Sequence, residues 1–232
     1  IQAVKVFDKI SLSQQKIICN VNQAPYNAIP DGKTDNTNAI QKALNECTTQ
    51  PGAKSIVVFP GPGSYLTGAL QLRSWTEIQI HPNAVILGVN IISEYPFLKP
   101  LPSYCLQRGG LYAPLLGGDG LENVAITGGG TIDGNFFNGQ GPRLVQFRRS
   151  INIAISNVTL TNSGFWTLHF YNCTDVEVKY CNIVNNITAP QTDGIDIDST
   201  RNAYIAHNYI STGDDGIAFK SGMDFCGRKF NT

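Results

Sequence analysis

The stretch Asn152-Ile153-Ala154-Ile155-Ser156-Asn157-Val158-Thr159-Leu160 recurs along the chain, and its recurrence decides the fold. Apolar residues stand at +1, +3, +6 and +8 from the asparagine: Ile153, Ile155, Val158 and Leu160. Asp175 opens the same pattern with Val176, Val178, Cys181 and Ile183. Asn202 opens it with Ala203, Ile205, the polar Asn208 and Ile210. Asn123 begins a looser copy, so the starts lie 29, 23 and 27 residues apart. From Asn152 onward each copy is followed by a second strand-like run: Thr167 to Phe170, Gly194 to Asp198, and Gly216 to Lys220. Short alternating runs at a fixed period mark a stack of repeats rather than a layered domain. An antiparallel sandwich needs two-residue hairpin turns, and these are scarce. The reading is all-β: a right-handed parallel β-helix, in one domain spanning residues 1–232.

Upstream of the repeat, Ser55 to Phe59, Glu77 to Ile80 and Ala84 to Leu87 read as further strands. One segment reads as a helix. Between Asp35 and Cys47, apolar residues fall at helical spacing (Ala39, Ile40, Ala43, Leu44) after polar capping candidates. A helix here would cap the N-terminal end of the stack and hide its strand edges. Cys19 and Cys47 flank this region and are predicted to pair. Closing that loop stabilises by about 3–4 kcal/mol. Cys173 and Cys181 are a poorer pair, because a strand between them holds them apart.

Within the repeat, two acidic clusters occupy equivalent places. Gln191-Thr192-Asp193-Gly194 precedes Ile195-Asp196-Ile197-Asp198, and Gly213-Asp214-Asp215-Gly216 precedes Ile217-Ala218-Phe219-Lys220. Asp193 and Asp215 each stand two residues before the first isoleucine of their strand, 22 residues apart. Stacked strands lie about 4.8 Å apart, so successive coils gather three carboxylates. The same alignment puts Trp166 one coil earlier in that column. Strict alternation would turn a residue two before a buried isoleucine into the core, so the chain must break parity before each strand. Gly194 and Gly216 are placed to permit that. Clustered carboxyls are the equipment of glycoside hydrolysis. The plain alternative is turn formation, which Asp and Gly favour.

Composition narrows the function. Charged residues make up 15% of the 232, and the net charge is zero. A nucleic-acid partner normally requires a basic surface. No run of 18 apolar residues marks a membrane span, and no signal peptide opens the chain. Six cysteines fit disulfides in an oxidising compartment. They show no zinc spacing, so neither a metal nor a cofactor is expected. Three sequons, at Asn157, Asn172 and Asn186, point with the cysteines to secretion from a eukaryotic cell.

A resemblance now rests on the opening stretch from Ala28-Ile29-Pro30-Asp31-Gly32 to Asn38-Ala39-Ile40-Gln41 and on four ordered motifs: Gly129-Gly130-Thr131-Ile132-Asp133-Gly134, Phe165-Trp166-Thr167-Leu168-His169, and the two acidic clusters. The chain resembles the polygalacturonases, pectin-degrading glycoside hydrolases of family 28, over nearly its whole length. The resemblance implies hydrolysis of α-1,4-galacturonan with inversion, on a pectic polysaccharide, by a monomer. It implies Asp214 as general acid, with Asp193 and Asp215 holding the attacking water. One carboxyl of such a cluster must stay protonated, which like-charge repulsion favours. Inversion usually has its carboxyls about 6.5–9.5 Å apart; one coil step is shorter, so inversion rests on the resemblance alone. Gln191 stands where the family usually has Asn. The family's later Gly-His-Gly and Arg-x-Lys motifs are not present before Thr232, 17 residues beyond Asp215. The expectation is a chain lacking its C-terminal coils, with the remainder as a separate fragment.

Other residues carry two readings each. Gln191, Lys220, Trp166 and His169 are candidates for substrate contact. Trp166 serves either as core or as a sugar-stacking platform, and His169 either faces the cleft or is a satisfied structural histidine. Lys220 or Arg201 pairs with a substrate carboxylate or with the chain's own aspartates. Asp196 and Asp198 read as a solvated strand face or a cleft wall, and His207 as surface. Competing functions are a rhamnogalacturonan or xylogalacturonan hydrolase, a pectate lyase using Ca²⁺, and an inactive pectin-binding relative.

Overall fold

The computed structural model describes residues 16–47, 53–106 and 111–230. Their strands form three parallel sheets of seven, seven and six strands. The chain visits the sheets in turn. Ile151–Ser156 lies in the first, Thr159–Thr161 in the second and Leu168–Tyr171 in the third, and then Thr174–Lys179 returns to the first. Each circuit stacks on the one before, giving the right-handed parallel β-helix predicted.

The repeat's opening residue has a structural reason. Asn123, Asn152, Asp175 and Asn202 take φ values of 56, 61, 58 and 56°. Asn and Asp tolerate this left-handed conformation better than other non-glycine residues. The ladder skips these positions: Ile151 pairs with Thr174 and Ile153 with Val176, leaving Asn152 between them. Side chains link the skipped positions from coil to coil, Asn152 donating to Asn123 and Asn202 to Asp175. The corner into the second sheet repeats the device at Asn157, Tyr180 and His207.

Inside, equivalent residues stack in columns. Val124, Ile153 and Val176 form one, Ile132, Leu160 and Ile183 another, and Leu116, Val145, Leu168 and Ile195 a third, all buried. Phe147 and Phe170 stack face to face, 6.2 Å apart. Each such side chain contributes about 1.5–3 kcal/mol. The helix Thr37–Glu46 buries Ile40, Ala43 and Leu44 against the N-terminal coils. Cys19 and Cys47 are joined as predicted, with Cα atoms 6.0 Å apart. Cys173 and Cys181 are free and buried.

At the other end, the last described coil lacks a neighbour among the described residues. Ile217 and Phe219, which continue core columns, are exposed, Phe219 by 82%.

The third sheet positions the site. Its strands Leu70–Gln71, Leu116–Asp119, Val145–Arg148, Leu168–Tyr171, Ile195–Asp198 and Ile217–Lys220 stack in that order. Its outer face is not solvated along its length. The segment Leu101 to Leu106, with the 3-10 turn Pro102–Tyr104, and the short helix Asp224–Lys229 pack together, and a Cys105–Cys226 disulfide joins them. Leu101 and Tyr104 cluster with Phe165, Trp166 and Tyr171 of this sheet's coils.

Candidate active site

The acidic clusters sit at the corner before the third sheet's last two strands. Backbone pairing fixes their register: Thr167 N donates to Asp193 O (2.8 Å) and Gly194 N to Asp215 O (2.9 Å). Trp166, Asp193 and Asp215 therefore share one column, as the alignment predicts. Parity breaks at Gly194, but not through a left-handed φ, which neither Gly194 nor Gly216 adopts. Gly194 is needed for closeness instead: a Cβ there would meet Gly216 O at 2.5 Å.

Asp193, Asp214 and Asp215 each offer a carboxylate atom, all within 4.8 Å of one another. Asp193 is buried, whereas Asp214 and Asp215 are exposed. Asp214 is held by main chain: Gln191 N donates to its Oδ2 (3.1 Å) and Asp215 N to its Oδ1 (3.0 Å). Gln191 takes φ 60°, which aims its N–H at Asp214, while its side chain stands in the exposed loop. The loop is itself tied down. Asn185 donates to Thr167 Oγ1 (2.7 Å) and Thr192 O (3.3 Å), and Gly213 N donates to Thr192 Oγ1 (3.1 Å). Three oxygen ligands at this spacing have the hard-donor chemistry to gather on a cation; one of the three, Asp193, is already paired with a lysine.

That lysine is Lys220. Its Nζ donates to Asp193 Oδ2 at 2.9 Å and lies 3.1 Å from Asp196 Oδ1. It also sits 4.4 Å from the centre of the Trp166 ring. Burial alone would lower its pKa, but the charges of Asp196 and Asp193 outweigh that and raise it. Asp196 has no exposure, so the solvated-face reading fails for it and for Asp198, because the Leu101–Leu106 segment and the terminal helix cover this face. Burial, and then the negative charge of Asp193, pushes the Asp196 carboxyl up to about 8.

His169 is wholly buried. Its Nδ1 lies 2.8 Å from Gln146 Nε2 and its Nε2 lies 3.0 Å from Asp198 Oδ2. A neutral ring with its proton on Nε2 satisfies both contacts, accepting from the amide and donating to the carboxylate. Burial pushes its pKa down to about 4. Trp166 is 6% exposed, packed edge-on by Tyr104 (6.0 Å) and flanked by the Arg143 guanidinium (4.7 Å). Of the four residues singled out for substrate contact, only Gln191 is exposed; Trp166, His169 and Lys220 are engaged within the chain. Arg201 is exposed, and so is His207, which stacks on Tyr180.

Residues 109–231 match the model of glycosyl hydrolases family 28. The chain belongs to that family. Residues 18–87 also match a model described as rhamnogalacturonase A/epimerase, pectate lyase-like. Among family 28 relatives, a probable polygalacturonase of Vitis vinifera is 35% identical over 92% of this chain and 47% of its own length. An endo-polygalacturonase of Pectobacterium carotovorum subsp. carotovorum is 30% identical over 80% of this chain and 51% of its own. A hyperthermoactive exopolygalacturonase from Thermotoga maritima superposes with a TM-score of 0.79, at 25% identity, over 91% of this chain and 56% of that one. The polygalacturonase from Erwinia carotovora ssp. carotovora superposes at 0.71, with 26% identity, over 91% of this chain and 60% of its own. The chain thus spans about half the length of the relatives it matches.

Sequence reading missed the cover over the third sheet. Arg143, Tyr104 and the Cys105–Cys226 link lie far apart in sequence and outside the repeat. The burial of Asp196 and Asp198 on the outer face beneath that cover was equally hidden, since alternation gives only the face and not what lies on it. Cysteine parity was the one available signal: with Cys19–Cys47 paired and Cys173–Cys181 disfavoured, Cys105 and Cys226 remain.

Proposed function

We propose that the protein hydrolyses α-1,4-galacturonosyl bonds of pectin, with Asp214 as general acid and with Asp193 and Asp215 activating the attacking water. The observation that carries this reading is the convergence of three carboxylates within 4.8 Å at a corner where two of them are exposed. The membership of family 28 and the polygalacturonase relatives support the substrate. Asp214 stands at the exposed rim with two backbone N–H groups orienting it, which suits a group that must meet a leaving oxygen. Asp193 lies deeper, with Lys220 holding it in place, which suits a carboxylate that orients water. Inversion follows the family resemblance. We further propose a secreted monomer, glycosylated at Asn157, Asn172 or Asn186, all three of which are exposed.

The test uses the full-length protein that carries this chain, assayed for new reducing ends on polygalacturonate. Asp214→Asn is expected to lower turnover by about 10²–10⁴-fold, because an amide cannot protonate the leaving oxygen. Asp193→Asn and Asp215→Asn are expected to lower turnover with substrate binding retained. A near wild-type rate for Asp214→Asn removes the acid assignment. Ultraviolet absorbance of a new conjugated double bond in the product identifies a lyase instead. Cleavage of rhamnogalacturonan or xylogalacturonan in preference to polygalacturonate assigns the neighbouring hydrolase activity, and no cleavage with retained pectin binding assigns the inactive-relative reading.

A further inference from the structure

We propose that Asp196 is a positioning residue for the hydrolysis: it anchors Lys220, whose ammonium fixes the Asp193 carboxylate that orients the water. This rests on the hydrolase reading above. Asp196 has no exposure, so it can act on the reaction only through a neighbour. In the ladder it stands between His169 on one coil and Ala218 on the next. A buried carboxyl needs a partner. Lys220 Nζ lies 3.1 Å from Asp196 Oδ1, and the buried Arg143 and Tyr104 are the other titratable groups whose charges it feels from the covering side. No donor among the described residues reaches its Oδ2.

Lys220 pairs with Asp198 at the far end of its strand, whereas Asp193 lies before the start of the neighbouring strand Ile195–Asp198. A lysine stem is flexible, and it must be turned back to reach that corner. Three contacts turn it: Asp196 Oδ1, the Trp166 ring 4.4 Å away, and Asp193 Oδ2 at 2.9 Å. Ala218, the ladder partner of Asp196, carries only a methyl group and leaves the room for the turn. The lysine thus occupies Oδ2 of Asp193. Oδ1 of Asp193 is buried without a hydrogen-bond partner among the described residues, which leaves it as the oxygen to hold a water. Burial and the charge of Asp193 push the Asp196 carboxyl up to about 8. In mildly acid solution Asp196 is therefore a neutral acceptor, which holds the ammonium in place while the charge of Lys220 serves Asp193. Without that anchor the ammonium keeps one carboxylate but loses the point that fixes where the pair lies.

The test measures kcat and KM separately on polygalacturonate, again with the full-length protein. Asp196→Ala is expected to lower kcat about ten- to hundred-fold, because small misplacements of a reacting group are costly, with KM within about two-fold of wild type. Asp196→Asn keeps a neutral oxygen acceptor at the same place and is expected to recover most of that loss. The deciding comparison is a cycle with Lys220→Met. Since Asp196 acts through the lysine, Asp196→Ala should cost no further activity in the Lys220→Met background. Equal fold-losses in the two backgrounds overturn the proposal, as does a wild-type kcat for Asp196→Ala. A loss for Asp196→Asn as large as that for Asp196→Ala also overturns it. Should Asp196→Ala not fold, Ala218→Leu crowds the turn and leaves both aspartates and the lysine in place. It is expected to show the same fall in kcat at constant KM, and wild-type kinetics from the folded Ala218→Leu protein overturn the proposal. Absence of any reducing ends from wild type is a different outcome: it overturns the hydrolase reading, and the positioning role falls with it.

Discussion

Lys220 holds its ammonium 2.9 Å from the carboxylate of the buried Asp193. Removing one partner of such a pair leaves the other without compensation, which costs more than the pair contributes. Lys220→Met is expected to destabilise the fold by about 2–3 kcal/mol, at the low side for a buried pair because the lysine is part exposed. Adding Asp193→Asn removes the orphaned charge, so the double variant is expected to lose less than the two single losses combined. Urea titration of all four proteins in a mutant cycle measures the coupling. Additive losses would show that Lys220 acts elsewhere.

Stability should depend on pH through Asp196 and His169. Burial and the charge of Asp193 raise Asp196 to about 8. The folded state then binds a proton that the unfolded chain has released, so stability falls as pH rises toward 8. His169, lowered to about 4 by burial, acts in the opposite sense: it costs stability as pH falls below the ordinary histidine range. Between about 4 and 6.5 the two slopes oppose and the profile is flat. From about 6.5 to 8 Asp196 acts alone, and the expected loss is about 2 kcal/mol. Melting temperatures across this range check it, and Asp196→Asn should flatten the alkaline fall.

The hydrolysis product should carry the inverted anomeric configuration. The three carboxylate atoms lie closer together than the usual inverting separation of about 6.5–9.5 Å. In the proposed reading the water is held by Asp193 and Asp215 jointly. Proton NMR of the first product formed distinguishes the anomers, and retention would point instead to a covalent intermediate on one aspartate.

The repeat was legible because each coil opens on a residue in a left-handed corner. Asn123, Asn152, Asp175 and Asn202 mark those corners in the sequence as plainly as in the structure. Asp193 and Asp215 were legible for the same reason, since register follows from strand alignment. His169 and Lys220 were read as residues with two possible roles. What decides between those roles is the cover of Leu101, Tyr104 and Phe230, which comes from outside the repeat and carries no period. Gly194 shows a subtler limit: the sequence placed a glycine where parity must break, but the need it meets is the approach of Gly216 O rather than an unusual φ.

The Cys105–Cys226 link has a consequence for how the molecule opens. In a stack where each coil touches only its neighbours, the end coils fray first and protection against solvent rises gradually inward. This bond joins positions 121 residues apart and encloses the coils that carry Asp193 and Asp215. Those coils cannot peel away singly while it holds. Native-state hydrogen exchange should find the strands from Leu116–Asp119 to Ile195–Asp198 opening as one cooperative block, and reduction of the bond should return them to a graded series.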